Sequence, residues 1–289
     1  MLGLYQHLNE DTKRVVYFTN DDFISLENVE ILQYKTNDIK EIIPFLQNHG
    51  IKVLIVDNYE VSEESINLLN NDFNLIVFDA KFHNYKIDTI INFNPFAVEM
   101  YPTKHTTTNY FLGLSYMFYR NSLIKTKKIK EEKNSIFISI GGSDVNDITY
   151  KLVPLLSHVF SYHIVLGKGC STEYYRKVES YLTQEGLNFV LYHQPDNFFQ
   201  IMAKCQFAIT SCSTTIYELV YFEKPFICIN VIENQDRLSK YLSEKNINTF
   251  TRENLVSLKN IMNKKLFKSL KLPKNSKKEK LLNYIKGLI

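Results

Sequence analysis

A run of three small hydroxyl residues, Ser213, Thr214 and Thr215, separates an apolar stretch of the chain from an amphipathic one. The apolar residues 207–211 (FAITS) predict a buried strand, and the following TIYELVYF predicts a helix. Free main-chain N–H groups at a helix start, together with hydroxyl groups, favour an anion such as a diphosphate. Glu218 lies in the first turns of that helix, where its carboxylate can accept hydrogen bonds from two ribose hydroxyls. A helix cap with a favourable first-turn glutamate is the alternative explanation.

A glycine turn follows an earlier predicted strand, within the sequence ISIGGSDVND (138–147). Gly141 and Gly142 have no side chains, so the backbone can approach a ligand closely there. Ser143 and Asp144 come next, at the start of a predicted helix whose N–H groups point towards the same place. The turn therefore predicts a phosphate-binding loop, and an ordinary left-handed turn explains the two glycines nearly as well.

A third polar loop follows the predicted strand FICINV (226–231) and contains Glu233, Asn234 and Gln235. The side-chain amides of Asn234 and Gln235 can both donate hydrogen bonds to sugar hydroxyl and acetamido groups and accept hydrogen bonds from them. Capping of the next helix is an equally good explanation of this loop.

The elements that position these loops are short apolar runs that alternate with helical patterns. Continuous runs rich in Val, Ile and Phe are typical of strands buried on both faces, and so of parallel sheets covered by helices. Ligands bind beyond the carboxyl ends of such strands, which is where all three loops fall. The predicted strands are 15–19, 29–34, 53–57, 74–79 and 89–93, then 135–141, 162–167, 188–193, 207–211 and 226–231.

A charged segment, LIKTKKIKEEKN, divides these strands into two series and has no strand pattern of its own. We therefore predict a first domain at 1–122, a linker at 123–134 and a second domain at 135–289. Both domains are expected to be doubly wound, Rossmann-like α/β domains. A length of 289 residues suits two domains, because single domains usually have about 100–200 residues.

Composition excludes several classes of protein. Hydrophobic residues make up 45% of the chain and charged residues 22%, which is typical of a globular protein rather than a disordered one. The formal net charge is only +3, and no continuous basic face with interleaved aromatic residues is present, so nucleic-acid binding is disfavoured. No apolar run approaches the roughly 18–20 residues that span a bilayer, so stable membrane insertion is not expected. We expect a cytoplasmic monomer.

The cysteine pattern also favours the cytoplasm. The chain has four cysteines with no C-x-x-C spacing, and three of them fall in segments that are predicted to be buried. We therefore expect reduced thiols at Cys170, Cys205, Cys212 and Cys228.

Six motifs, in this order, together resemble one known family. They are LIVDNYEVSEESINLL, FDAKFHNYKIDTIINFNP, FLGLSYMFYRNSL, FISIGGSD, SCSTTIYEL and ENQ. Over nearly its whole length the sequence resembles the PseG-like UDP-sugar hydrolases of pseudaminic acid biosynthesis, which are relatives of MurG. The resemblance implies a GT-B fold, in which two doubly wound parallel-sheet domains face a cleft. Each motif is weak alone, and their order is fairly specific.

The family reaction is hydrolysis of UDP-2,4-diacetamido-2,4,6-trideoxy-β-L-altropyranose at the anomeric carbon, without a metal or other cofactor. The resemblance implies that UDP binds mainly to the second domain, with Glu218 on the ribose. It places the loops 141–144 and 213–215 near the diphosphate, and it implies that Tyr59 and Asn234 face the sugar as catalytic residues, with Gln235 beside them. It also implies a role in glycosylation of flagellin or surface glycans.

The chain departs from the family pattern on the sugar side. Family members begin with a strand and a Gly-His loop whose histidine activates water, and that histidine position would fall before Met1, so we expect the first domain to lack its initial strand. Ala80 and Asn58 stand where the family often has Asp and His. Other candidates for the base are His7, His83, His105, Asp57 and Asp79. Of these, His83 is the better candidate because it follows the strand that ends at Asp79, although an aspartate at a strand end is commonly a helix cap.

Two further functions are compatible with the same residues. A GT-B glycosyltransferase would transfer the sugar from UDP to an acceptor other than water. A catalytically impaired remnant would bind the UDP-sugar without turning it over.

Overall fold

The computed structural model describes residues 4, 8, 16–19, 30–33, 38–58, 61–83, 85–126, 129–273 and 275–288. It divides the chain into two compact units, one formed by 1–121 together with 273–289 and the other by 122–272. Each unit has its own parallel sheet and its own hydrophobic core. The predicted α/β architecture of two parallel-sheet domains is therefore confirmed.

The first unit is built on a four-stranded parallel sheet in the order β3-β4-β5-β6. Its central strand β5 is buried along its whole length, as expected for a strand that is covered on both faces. Two other strands, β1 and β2, pair in parallel with each other in a separate sheet. The strands are β1 (Val16–Thr19), β2 (Glu30–Gln33), β3 (Val53–Val56), β4 (Asn74–Phe78), β5 (Thr89–Asn92) and β6 (Asn109–Leu112).

Helices of the first unit span Ile39–Asn48, Glu63–Asp72 and Ala97–Met100. The first begins at Asp38, whose side chain accepts a hydrogen bond from the Lys40 main-chain N–H, and the second begins at Ser62, whose hydroxyl accepts one from the Ser65 N–H. These caps satisfy donors that a helix start leaves free. Buried residues of both helices, among them Leu46 and Leu69, pack against the sheet residue Leu75 in one core.

The C-terminal helix Lys278–Lys286 belongs to the first unit, although the sequence assigned 135–289 to the second domain. Its buried residues Leu281 and Ile285 pack in one cluster with Ile91 of the first sheet. The Tyr284 hydroxyl lies 2.7 Å from the Thr89 hydroxyl. The predicted boundary is therefore wrong at this end, because an amphipathic helix does not reveal in its own sequence which core it will cover. The two ends of the predicted linker belong to regular elements: Asn121–Ile124 is helical, and a strand begins at Glu132.

The second unit is built on a six-stranded, all-parallel sheet in the order β12-β11-β10-β7-β8-β9. From β7 the chain continues on one side through β8 and β9, and it then returns to place β10, β11 and β12 on the other side. The strands are β7 (Glu132–Ser139), β8 (Ser161–Leu166), β9 (Asn188–His193), β10 (Cys205–Ser211), β11 (Phe226–Asn230) and β12 (Thr249–Thr251).

The helices of the second unit connect these strands. They span Ile148–Leu152, Thr172–Gln184, Phe198–Lys204, Thr215–Tyr221, Asp236–Glu244 and Leu258–Asn263. All ten strands predicted from the sequence are present, with ends that differ by up to three residues. The strands β6 and β12 were not predicted because their segments, NYFL and TFT, are short and partly polar. Within the described parts of the chain, no helix has the length and apolar character needed to cross a membrane.

Candidate functional site

The strands β7 and β10 are neighbours in the second sheet, and the chain leaves them towards opposite sides. Ser139 is paired with Thr210 near the carboxyl ends of the two strands, and the Thr210 hydroxyl donates to the Ser139 carbonyl at 2.8 Å. Such a reversal of strand order opens a crevice at the carboxyl edge, where doubly wound sheets bind ligands. The predicted glycine turn and the hydroxyl run are the two loops that leave these strands.

The glycine turn after β7 has the backbone that the sequence predicted. Gly141 has a φ of +91°, a conformation that residues with a side chain rarely adopt. A methyl group built on Gly141 would lie 3.7 Å from the Ser211 hydroxyl oxygen, so the turn contacts the end of β10. A methyl group on Gly142 would meet no heavy atom within 4 Å. The main chain at Gly142 is therefore open to a ligand.

A second pair of glycines, Gly167 and Gly169, supports this turn from the end of β8. A methyl group on Gly167 would lie 2.6 Å from Gly142 Cα and 2.7 Å from the Gly141 carbonyl oxygen, and closer still to the Gly142 carbonyl oxygen. The Gly169 main-chain N–H donates to the Gly142 carbonyl at 2.8 Å. This support was not predicted, although glycines at the end of the predicted strand 162–167 and two residues beyond it are a signal that could have indicated it.

The carboxylate of Asp144 is used inside the protein. Its oxygens accept hydrogen bonds from the main-chain N–H groups of Ile148 and Thr149 and from the Tyr174 hydroxyl, and the residue is 4% exposed. Burial raises the pKa of this carboxyl, and the hydrogen bonds oppose that rise. These hydrogen bonds occupy the carboxylate that was predicted to contact substrate, and they join the glycine turn to the helices Ile148–Leu152 and Thr172–Gln184.

Replacing Asp144 by alanine should lower the free energy of unfolding by about 1–3 kcal/mol, because buried N–H and O–H groups lose their acceptor. Asp144→Asn keeps one acceptor oxygen and should lose less. Because the folded-state pKa is raised, the folded protein holds this proton more tightly than the unfolded chain does, so the wild-type protein loses stability as pH rises above the ordinary aspartate range. Urea unfolding at a series of pH values should show this decline in the wild-type protein and not in Asp144→Asn. Equal stability of Asp144→Ala and wild type would contradict the structural role.

The hydroxyl run leaves β10 and leads directly into the helix Thr215–Tyr221. Ser213 is partly exposed and its hydroxyl lies 3.0 Å from the Ser211 hydroxyl, while Thr214 is exposed. Thr215 is buried, so its side chain has little surface available for the predicted contact with a ligand. Glu218 lies in the first turn of the helix, as predicted, and is partly exposed. The loop thus presents two hydroxyl residues and a carboxylate near the crevice.

Two of the four cysteines are paired in the structure, contrary to the expectation that all are reduced thiols. Cys212, which begins the hydroxyl loop, forms a disulfide with Cys228 on β11, with 5.6 Å between the two Cα atoms. In the register of β10 and β11, Cys228 is paired with Thr210, two residues before Cys212, and the Cys212 N–H donates to the Ile229 carbonyl at 2.9 Å. Cys170 and Cys205 are buried free thiols, as predicted.

The third predicted loop forms a 3₁₀ turn at Glu233–Gln235. It lies near the residues that follow the glycine turn. The Asn146 side chain donates to the Val231 carbonyl at 3.4 Å, which links the two loops. Asn234 is exposed, as a ligand-contacting residue must be. Gln235 is buried and its side-chain oxygen accepts from the Val231 N–H at 3.0 Å. Gln235 thus holds the loop through this hydrogen bond, which occupies the side-chain oxygen that was predicted to contact substrate.

The residues predicted for a site in the first unit lie at different places. Tyr59 and His7 lie outside the described residues. Asp57 follows β3 at the carboxyl edge of the first sheet and is exposed. His105 precedes β6, so it lies at the amino edge of that sheet, away from the edge where such sheets bind ligands. Within the described ranges, no group of three or more His, Cys, Asp and Glu residues could hold a metal ion.

No family model matches the chain, and two curated proteins are similar to it in sequence. The UDP-2,4-diacetamido-2,4,6-trideoxy-beta-L-altropyranose hydrolase of Campylobacter jejuni is 22% identical over 223 residues, which cover 74% of this chain and 79% of that protein. A Helicobacter pylori protein, named pseudaminic acid cytidylyltransferase and UDP-2,4-diacetamido-2,4,6-trideoxy-beta-L-altropyranose hydrolase, is 25% identical over 266 residues. That match covers 88% of this chain and 47% of the longer protein.

Among solved structures, MurG of Acinetobacter baumannii has a similar fold. It is 10% identical in sequence, has a TM-score of 0.64, and the match covers 99% of this chain and 94% of MurG. This confirms the predicted GT-B type of fold. The two curated proteins confirm the predicted resemblance to PseG-like UDP-sugar hydrolases.

Proposed function

We propose that this protein is a UDP-sugar hydrolase that releases UDP from a UDP-linked 2,4-diacetamido-2,4,6-trideoxy sugar in the cytoplasm. Both curated relatives carry the name of this activity. The observation that carries the proposal is the juxtaposition of the glycine turn and the hydroxyl loop at the carboxyl ends of β7 and β10, where the strand order reverses. Doubly wound sheets bind nucleotides at such a point.

Within the second unit, each loop has a part in holding UDP. The open main chain at Gly142, with Ser143, would receive the diphosphate from one side, and Ser213 and Thr214 would receive it from the other. The Glu218 carboxylate would accept hydrogen bonds from the ribose hydroxyls, which are charge-assisted and therefore strong. Asp144 and Gln235 would act through the loops that they hold, rather than by touching the ligand.

In the proposed reaction, the oxygen of a water molecule forms a bond to the anomeric carbon and a protein base takes the water's proton. The bond between the anomeric carbon and the phosphate oxygen breaks, and its electron pair leaves with UDP. Donors aimed at the diphosphate stabilise the negative charge that develops there, which is the effect that lowers such barriers most. Asn234 and Tyr59 are proposed to contact the sugar, and no metal is proposed to take part.

The test is a mass-spectrometric assay with UDP-2,4-diacetamido-2,4,6-trideoxy-β-L-altropyranose in H₂¹⁸O. We expect release of UDP and of free sugar that carries one ¹⁸O atom, because water attacks carbon. An ¹⁸O atom in UDP instead would mean attack at phosphorus and would contradict the mechanism. No UDP release under conditions in which the protein binds UDP would contradict hydrolysis and favour the catalytically impaired, sugar-binding function.

A glycosyltransferase is the second candidate, and the GT-B fold shared with MurG favours it. The two functions differ in what accepts the sugar. A transferase would release little UDP in water alone and would release it rapidly when a carbohydrate or lipid-linked acceptor is added. UDP release at the same rate with and without acceptors would support the hydrolase.

A further inference from the structure

A lysine stands between the two glycines that support the glycine turn. Residues 167–170, which we call the lysine turn, follow β8 at the carboxyl edge of the second sheet, and Lys168 is exposed there. Strand β8 is parallel to its neighbour β7, so the lysine turn and the glycine turn leave the sheet at the same edge. Lys168 is therefore part of the surface next to the proposed diphosphate site.

The backbone on both sides of Lys168 is packed against Gly142 and Ser143. A methyl group on Gly167 would lie 2.6 Å from Gly142 Cα, and a methyl group on Gly169 would lie 2.8 Å from Ser143 Cβ. The Gly169 N–H also donates to the Gly142 carbonyl at 2.8 Å. Lys168 thus has its backbone directly beside the two residues that would receive the diphosphate from this side.

Hydrogen bonds hold the lysine turn in one conformation. The Cys170 N–H donates to the Gly167 carbonyl at 3.1 Å, which closes a tight turn with Lys168 and Gly169 at its two central positions. The Lys168 carbonyl accepts a hydrogen bond from the Gln194 side-chain amide at 3.5 Å. The Cα atom of Lys168 is therefore fixed in place next to the glycine turn.

The positive charge of Lys168 is available to a ligand. Within the described ranges of the chain, no carboxylate forms an ion pair with the Lys168 ammonium. The two aspartates that follow the glycine turn have other partners: Asp144 accepts main-chain and hydroxyl hydrogen bonds, and Asp147 lies 3.6 Å from Lys177 Nζ. Five bonds of about 1.5 Å separate Cα from Nζ in a lysine, so its ammonium can reach an anion that lies against Gly142.

We propose that the Lys168 ammonium binds the diphosphate of UDP and stabilises the negative charge that develops there as the sugar leaves. This inference rests on the proposed hydrolase function. When the bond between the anomeric carbon and the phosphate oxygen breaks, its electron pair moves onto that oxygen. The main chain at Gly142 and the hydroxyl groups of Ser213 and Thr214 are uncharged donors, and Lys168 adds a cation to them. A charge that is in place before the reaction lowers the barrier, because no reorganisation is needed when the bond breaks.

Isothermal titration calorimetry of Lys168→Ala with UDP tests the contact. We expect UDP affinity to fall about 10- to 150-fold, as for loss of a hydrogen bond to a charged group. The loss should shrink as the salt concentration rises, because salt screens the charge that the substitution removes. Lys168→Arg keeps the charge and should retain most of the affinity. Lys259→Ala is the matched control, because Lys259 is an exposed lysine on the helix Leu258–Asn263 of the same unit, and its affinity should equal that of wild type.

A second measurement follows the charge that develops during the reaction. In single-turnover hydrolysis of the same UDP-sugar at saturating enzyme, we expect Lys168→Ala to be at least about tenfold slower than wild type and Lys168→Arg to be close to wild type. A loss of affinity without a loss of this rate would overturn the catalytic part of the proposal.

Two further outcomes separate this role from the hydrolase function itself. Wild-type UDP affinity in Lys168→Ala, or equal losses in Lys168→Ala and Lys168→Arg, would overturn the role of Lys168 and leave the hydrolase function intact. Absence of UDP-sugar hydrolysis by the wild-type protein would overturn the hydrolase function, and the catalytic role of Lys168 with it.

Discussion

Glu218→Ala is expected to weaken UDP binding by roughly 1.5–3 kcal/mol, which is the range for hydrogen bonds to a charged group. This corresponds to an affinity about 10- to 150-fold lower. The loss is expected because Glu218 lies in the first turn of the helix after the hydroxyl loop and is partly exposed there. Isothermal titration calorimetry with UDP measures it directly. The same protein titrated with 2′,3′-dideoxy-UDP, which lacks the ribose hydroxyls, should bind equally weakly before and after the substitution.

The matched control for this substitution is Glu179→Ala. Glu179 is an exposed glutamate on the helix Thr172–Gln184 of the same unit, so the substitution removes the same charge from the surface. Its UDP affinity should stay within about twofold of wild type, because exposed charges are strongly screened by salt. Equal UDP affinities for Glu218→Ala and Glu179→Ala would show that the ribose is not held by Glu218.

Gly167→Ala is expected to reduce UDP affinity more than tenfold and to lower the free energy of unfolding by about 1–3 kcal/mol, as overpacking does. The added methyl group would lie 2.6 Å from Gly142 Cα, and the conflict is with main-chain atoms rather than with a flexible side chain. The glycine turn would therefore have to move, and the diphosphate would lose its main-chain contacts. Thermal unfolding and calorimetry with UDP measure the two effects.

Gly142→Ala separates the packing of the turn from its contact with ligand. A methyl group at Gly142 meets no heavy atom within 4 Å, so stability should stay close to that of wild type. If the diphosphate lies against Gly142, the same methyl group occupies its place and UDP affinity should fall. Wild-type affinity in Gly142→Ala would contradict a ligand at this position, and wild-type stability in Gly167→Ala would contradict the packing argument.

The strands and their order along the chain could be predicted from the sequence because strands buried on both faces leave continuous apolar runs. The segments VLIV of β3 and FICIN of β11 carry this signal within a few residues. The order of the strands within each sheet depends on tertiary packing, which the sequence pattern does not reveal. The C-terminal helix shows the same limit, since its apolar stripe fits either core and only the structure assigns it to the first unit.

For the candidate site, the loops could be predicted and the partners of individual side chains could not. Glycines and hydroxyl residues after an apolar run indicate an anion-binding loop whatever surrounds them. Asp144 and Gln235 have the same chemistry as ligand-binding residues, yet here each accepts hydrogen bonds from neighbouring main-chain N–H groups. Asp79 and His83 are four residues apart in sequence, and a hydrogen bond joins their side chains. The position of His83 depends on the left-handed backbone at Phe82, which sequence patterns do not reveal.

A crystal structure of the protein with bound UDP tests the central claim most directly. We expect the diphosphate against the main chain of Gly142 and beside Ser213, with both ribose hydroxyls within hydrogen-bonding distance of the Glu218 carboxylate. UDP bound away from the carboxyl ends of β7 and β10, or a ribose without contact to Glu218, would contradict it.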